Sequence, residues 1–275
     1  MSNMGATPAT SARSAPVRQY REPPVHEVVL GLNFANAIAD SELESIPALL
    51  AGRFPETQPQ SFAKYEMTIA PAGQQISQSE QRFNGWLFRD AGPTRVLNVG
   101  RQQVLLHAVR PGEWPNGTYA GWSAIQQEAR ALFELLAPIY GRGPIQRVGL
   151  RYLNRIAVPV ESALEDWFSI GFAAPSFLLD PFAINLRQTW ARSEGNDDLS
   201  LTVGLATIAI PANVALHEKH IGFLLDIEVF NLWPHMAPSF LDLPEWCRRA
   251  HEVENRVFEG AITDALRKRF EEITK

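Results

Sequence analysis

The stretch from Ile145 to Val160, IQRVGLRYLNRIAVPV, alternates between two kinds of side chain up to Pro159. In a β-strand, successive side chains point to opposite faces, so residues two apart share a face. One face of this segment is cationic and carries Arg147, Gly149, Arg151, Leu153 and Arg155. The other face carries Val148, Leu150, Tyr152, Asn154 and Ile156. We therefore predict a long strand with one cationic face.

The residues after this strand predict a short helix, three more strands and a closing helix. Ser162–Ile170 has the capping-box spacing, with Glu165 three residues after Ser162. Strands are predicted over Phe182–Arg192, Leu199–Ile210 and Ile221–Asn231, the first two joined in a hairpin. A long amphipathic helix is predicted over Trp246–Ile273.

The residues before this strand show a similar order. A strand at His26–Phe34 precedes a helix with Asp40 or Ser41 as its N-cap, and Gly52 ends that helix. Four short strands are predicted over Lys64–Ile69, Gln81–Arg89, Thr94–Val99 and Gln102–Val109. A long helix then carries apolar residues from Ile125 to Ile139 and ends at Gly141. We predict an α+β fold of two similar halves, residues 23–143 and 144–275, each a curved antiparallel meander backed by a long helix. A single irregular α+β domain is the alternative.

Composition narrows the class of protein. The chain has 275 residues, of which 45% are hydrophobic and 20% charged, as in ordinary globular proteins. Its net charge of −5 makes nucleic-acid binding unlikely in the absence of a local basic patch. Cys247 is the only cysteine, so no internal disulfide forms and a reducing cytoplasm is expected. Residues 1–22 lack the apolar run of a secretory signal and are predicted to be a disordered tail.

No membrane span is expected. The charge-free stretch Leu199–Leu216 is interrupted by Pro211 and alternates between apolar and small or polar residues. That alternation is typical of a strand, because a spanning helix would be apolar throughout. We therefore interpret this stretch as part of the sheet.

A family resemblance rests on scattered residues and one specific motif. The scattered residues are Pro23-Pro24, Trp86, Tyr119, Trp122, Asp226, Glu228, His251, Phe258 and Ile262. The motif is Gly-Leu-Arg-Tyr-x-Asn-Arg, from Gly149 to Arg155. Together they resemble an uncharacterised, sporadically distributed bacterial family of about this length. The resemblance covers residues 23–272 and implies a bacterial soluble protein associated with mobile or defence-linked gene clusters. It supplies no catalytic residue.

Established catalytic motifs are absent from the sequence. No phosphate-binding loop precedes a helix, and no nucleophile elbow occurs. His251-Glu252 begins like a zinc-binding helix, but Asn255 stands where a second histidine is needed, so we interpret His251 as a helix-surface residue. His217 and His220, even with His235, are interpreted as solvated loop residues. We predict no metal and no cofactor.

The candidate site lies on the strands. Asp226 and Glu228 share a face of their strand with Leu224 and Phe230. Arg187, with Asn185 and Thr189, forms a further polar stripe. If these faces coincide with the cationic one, Arg151, Arg155 and Arg187 meet Asp226 and Glu228 across the sheet. Four tryptophans are predicted to line the resulting groove: Trp86, Trp114, Trp122 and Trp233.

Two interpretations of this polar face remain open. It is either an ion-pair lattice that stabilises the sheet by about 0.2–1 kcal/mol per pair, or a surface for an anionic ligand or protein partner. The leading hypothesis is a non-catalytic binding or regulatory protein. A metal-dependent hydrolase or nuclease, with Asp226 and Glu228 holding Mg²⁺, is the enzymatic alternative. Self-association into a homodimer through the Trp-bearing loops, Trp114–Tyr119 and Trp233–Trp246, is the third possibility.

Overall fold

The computed structural model describes residues 18–70, 73–92, 94–112, 118–141, 143–170, 185–194, 197–210, 219–232 and 242–273. Several predicted features fall outside these ranges. They are Trp114, Trp233, His217, His235 and the first 17 residues of the predicted tail. The predictions made for them stay predictions.

The described residues form nine strands and four α-helices. The first part contains β1 (Val25–Phe34), α1 (Asp40–Leu50), β2 (Glu56–Ala70), β3 (Gly73–Arg89), β4 (Arg95–Gly100), β5 (Gln103–Val109) and α2 (Trp122–Tyr140). The second part contains β6 (Ile145–Pro159), β7 (Asn185–Glu194), β8 (Asp197–Ile208), β9 (His220–Leu232), α3 (Leu243–Ala261) and α4 (Asp264–Arg269). The predicted strands and long helices are therefore present, most of them with boundaries shifted by a few residues. The exceptions are β2 and β3, which were predicted as short strands and each begin eight residues earlier than expected.

All nine strands belong to one antiparallel sheet in the order β2-β3-β4-β5-β1-β6-β9-β8-β7. The predicted α+β class and the antiparallel meanders are confirmed. The sheet is continuous across both predicted halves, because β1 pairs directly with β6 along nearly its whole length. In that pairing Gly31 lies opposite Gly149.

The four helices pack on one face of the sheet, which we call the helix face. Its strand residues are fully buried, as at Leu30, Leu150 and Leu225. The helices cover them with apolar side chains such as Ile46, Leu132, Ala250 and Leu266. Burial of this apolar area is the main stabilising term of the fold, at roughly 25 cal/mol per Å². The opposite face carries none of the described helices, and we call it the open face.

Two predicted helices are shorter than expected. Only Leu164–Asp166 of the predicted helix at Ser162–Ile170 is helical, as one 3₁₀ turn. The predicted closing helix is divided into α3 and α4 at Ile262, whose backbone is extended. One contact explains both results, because Phe168 forms a β-bridge with Ile262 and neither residue can then remain helical. None of the described helices is long and apolar enough to cross a membrane.

The end of the predicted tail is not free. Arg18 makes a two-pronged ion pair with Glu272, both distances being 2.9 Å. Tyr20 donates a 2.6 Å hydrogen bond to Glu259 and packs edge-on against Phe258 and Phe270. Prediction of a disordered tail up to residue 22 is therefore wrong for residues 18–22. These contacts come from the far end of the chain, so local composition could not reveal them.

Candidate functional site: the open face of the sheet

The cationic face predicted for β6 is part of the open face. Arg147, Arg151 and Arg155 lie there, whereas the alternate residues of β6 are buried against the helices. Asp226 and Glu228 on β9 lie on the same side, because Arg151 is directly opposite Glu228. Arg187 on β7 lies there as well, since it is opposite Gly204, which is opposite Asp226. The structure thus brings five of the six predicted site residues to one face.

Arg151 and Asp226 form the best-defined contact of this face. The guanidinium Nε and Nη2 each donate a 2.7 Å hydrogen bond to one oxygen of Asp226. The carboxylate side chain is 12% exposed and the arginine 37%. Hydrogen bonding to Asp226 raises the pKa of Arg151. A bidentate pair of this kind fixes the orientation of the guanidinium and gives Asp226 its hydrogen-bond partner.

A second ion pair lies one row away, between Arg147 and Glu228. The Arg147 guanidinium also lies over the Phe230 ring, 4.8 Å from its centre. Gly149 makes room for this arrangement. A Cβ at that position would be 2.8 Å from Arg147 Nη1 and 3.1 Å from Glu228 Oε1. Gly149, the first residue of the specific motif, therefore leaves the space that the Arg147–Glu228 ion pair occupies.

A polar row that sequence reasoning missed continues across the other half of the sheet. His107 Nδ1 on β5 donates to Glu27 on β1 at 2.6 Å, and Asn98 donates to the other ring nitrogen at 3.2 Å. Gln60 in turn donates to Asn98 Oδ1 at 3.0 Å. The bond from His107 lowers the pKa of Glu27, and Arg151 adds to the effect. The signal was available in the sequence, because Glu27 and His107 interrupt strands that are otherwise mostly apolar.

Arg155 and Arg187 are the other two arginines of the predicted site on the open face. Arg155 is partly desolvated, which lowers its pKa, and it lies within the field of Glu27. Arg187 is exposed, and within the described ranges no acidic group forms an ion pair with it. Its cross-strand neighbour Gly204 has no side chain to cover it. A methyl group there would make only ordinary contacts, the nearest at 3.4 Å. Arg187 therefore presents its charge to solvent beside the Arg151–Asp226 pair.

Trp86 does not join the other predicted site residues. Its indole donates a 2.9 Å hydrogen bond to the carbonyl of Leu43 in α1, and its ring packs against Phe83 and the core. Trp86 is opposite Val99, which is buried on the helix face. Trp122 also lies among the helices. The predicted groove lined by tryptophans is therefore wrong for these two, because their strand and helix positions direct them into the core.

A second polar cluster lies on the helix face between α2, α3 and β6. Tyr152 Oη is 2.8 Å from His251 Nδ1, and the Asn255 amide is 3.0 Å from the other ring nitrogen. The His251 ring stacks on Trp122 at 4.5 Å. Burial lowers the pKa of His251 to about 4. The interpretation of His251 as a helix-surface residue is therefore wrong, since its helix turns it towards the sheet.

The same cluster holds a buried acid, Glu254, which is 2% exposed. Within the described part of the chain, no side chain makes an ion pair or hydrogen bond to its carboxyl. The Tyr119 hydroxyl nearby is also buried, close to the hydroxyl of Tyr152. Cys247, one turn before His251, is buried, and burial raises its pKa to about 12. The thiol is therefore protonated and unsuited to act as a nucleophile.

No metal centre is found among the described residues, where no three His, Cys, Asp or Glu side chains cluster. The two carboxylates proposed for Mg²⁺, Asp226 and Glu228, each contact an arginine instead. The geometry therefore favours binding by charge complementarity over metal chemistry at this face. Compared with known proteins, the chain matches no protein-family model and no curated sequence.

Proposed function

We propose that this protein is a binding protein that holds an anionic partner, a carboxylate- or phosphate-bearing molecule or protein segment, on the open face of its sheet. The observation that carries the proposal is the position of Arg187. It is exposed next to a pair of arginines whose charges are already matched by Asp226 and Glu228. An anion approaching Arg187 meets a cation without an acidic partner in the described residues.

The paired residues contribute rigidity. Arg151 is held by two hydrogen bonds, so an incoming anion does not have to order its side chain. Arg155 lies on the same strand and face and adds positive potential. Since an arginine fork matches the geometry of a carboxylate or phosphate, this face suits recognition of such groups. The wider surface, from Glu27 to Arg187, crosses the neighbouring strands β1, β6, β9, β8 and β7, about 19 Å at the usual strand spacing, and we propose that a protein segment could lie across it.

We infer further that the sheet consists of two similar halves, as the order of elements in the sequence predicts. Each half begins with the strand nearest the middle of the sheet, and its last strand lies next to that first one. Each half also ends with a long helix on the helix face. Gly31 and Gly149 occupy matching places in β1 and β6 and face one another. The strand order supports a duplicated α+β unit.

The proposal is tested by titration calorimetry at low ionic strength with two probes, inorganic pyrophosphate and a short polyglutamate peptide. Wild-type protein is expected to bind at least one of them. Arg187→Ala should weaken that binding about tenfold, which corresponds to the roughly 1.4 kcal/mol of a charge-assisted hydrogen bond. Comparison of the probes distinguishes phosphate from carboxylate recognition.

The matched control is Arg130→Ala, which removes one exposed arginine from α2, on the helix side of the molecule. It changes the net charge equally and should leave the affinity within about twofold. Absence of binding by the wild type, or equal losses in both variants, would contradict the proposal. Equal losses would show that only net charge matters.

A further inference from the structure

The acid of the helix-face cluster occupies a place that suits a neutral side chain. Glu254 lies on the stripe of α3 that also carries Ala250, Phe258 and Ala261, all of them buried. This stripe packs on β6 and β9. A carboxylate without a cation or hydrogen-bond donor in such a place is costly, because desolvation of its charge is not compensated. A neutral carboxylic acid avoids most of that cost.

We propose that Glu254 is a proton-dependent latch: with its proton, α3 stays docked on the sheet, and loss of that proton loosens α3 from β6 and β9. The device involves only this helix and the strands beneath it. It is therefore independent of whether the open face binds an anion.

The titratable groups that the structure describes around Glu254 supply no positive charge near neutral pH. Tyr152 of β6 faces it, with a pKa raised by its own burial, and Tyr119 from the segment before α2 faces it as well. On α3, Cys247 interacts with Tyr152, and His251 is the other titratable member of the cluster. Glu259, further along the helix, adds a like charge. Burial, reinforced by Glu259, raises the pKa of Glu254 to about 8.

The pH window follows from the two titrations. Glu254 binds its proton more tightly when α3 is docked, so docking is weakened as pH rises from about 4.5, its value when exposed, to about 8. His251 binds its proton less tightly when buried, so docking is strengthened as pH rises from about 4 to 6.5. The two effects oppose each other up to about pH 6.5. Above that, the opposing effect of His251 is at most about twofold and the weakening by Glu254 dominates.

Hydrogen exchange of the α3 amides, corrected for the intrinsic pH dependence of exchange, measures the opening of this helix. In wild-type protein the opening constant should rise about eightfold between pH 6.5 and 8, because the titration of Glu254 alone raises it about sixteenfold and the remaining titration of His251 halves that rise. Glu254→Gln has nearly the same size and cannot ionise, so its opening constant should not rise over that range and should fall about twofold as His251 finishes titrating. The matched control is Glu252→Gln on the solvent side of α3, where Glu252 pairs with Arg248. It should keep the wild-type slope.

Equal slopes in wild type and Glu254→Gln would overturn the latch, as would a flat profile in the wild type. A second measurement uses wild-type protein alone, in case the variant does not fold. Infrared spectroscopy at pH 6.5 should show the carbonyl band of a protonated carboxyl that disappears by pH 9. A spectrum without such a band at pH 6.5 would refute the proposal directly.

Discussion

Two strand pairs on either side of the sheet's midline share a backbone arrangement but differ in chemistry. β1 and β5 form one pair, and β6 and β9 form the other. The position compared lies two residues after the glycine of each central strand. In β1, Asn33 lies opposite Gln103 of β5, whereas in β6, Arg151 lies opposite Glu228 of β9. The first position holds two neutral amides and the second holds opposite charges. The two strand pairs therefore have similar backbones but different side chains at this position, where opposite charges lie only on the β6 side.

The difference follows from what each face of the sheet packs against. On the helix face both central strands keep large apolar side chains, because the helices above them need a close-packed partner. On the open face no described helix imposes that demand, so charge can be placed there at little cost in core stability. We therefore expect equivalent core substitutions to destabilise the two halves equally. Substitutions on the open face should destabilise the β6 side more than the β1 side.

The largest expected effect tests the shared core. Leu32 and Leu150 each follow the central glycine of their strand, and both are fully buried. Leu32→Ala and Leu150→Ala should each lower the free energy of unfolding by about 2–5 kcal/mol, through lost burial and the cavity left behind. Urea denaturation measures both. A difference between them of more than about 2 kcal/mol would break the comparison between the halves.

A smaller effect is expected where the halves differ. Asp226→Asn removes the charge that Arg151 pairs with and should lower the free energy of unfolding by about 1–2 kcal/mol, discounted because Arg151 is partly exposed. Asn33→Ala, at the matching position of β1 on the same face, removes no charge and should change it by less than about 0.5 kcal/mol. Urea denaturation at low and high salt checks both values. If the Asp226 effect persists unchanged at high salt, its origin is packing rather than charge.

The smallest effect concerns the first half. Glu27 has a lowered pKa in the folded state, so its contribution is present above its unfolded value, about 4.5, and is lost as pH falls through the folded one. Glu27→Gln should therefore lower the free energy of unfolding by less than about 1 kcal/mol at pH 6 and by less than that at pH 3. Urea midpoints at the two pH values measure this. An equal loss at both would show that the Glu27 charge is irrelevant.

Much of the local structure could be predicted from residue patterns. The period of two in IQRVGLRYLNRIAVPV correctly separates Arg151 from Tyr152, and the same rule places Asp226 and Glu228 on one side of β9. These assignments succeed because side-chain direction in a strand is a local property of the backbone. That these faces coincide follows from the pairing of β6 with β9, which are far apart in the chain, and the alternation within each strand could not establish it.

Features that depend on distant contacts could not be predicted. The pairing of β1 with β6, the anchoring of Arg18 by Glu272 and the burial of Trp86 under α1 all join remote segments. Glu254 is a different case, because an acid four residues from both Ala250 and Phe258 on an apolar helical stripe is a visible anomaly. Attention to that spacing would have identified the helix-face cluster from the sequence.

The central position of β1 and β6 has a consequence for how the chain acquires its structure. Their contact joins residues more than a hundred positions apart, and closing so long a loop slows folding. During synthesis, β1 to β5 and α2 emerge before β6 exists, which leaves one edge of β1 without its hydrogen-bonding partner. A nascent chain at that stage exposes an unpaired, aggregation-prone strand edge. We expect its yield to depend on chaperones until the second half is made.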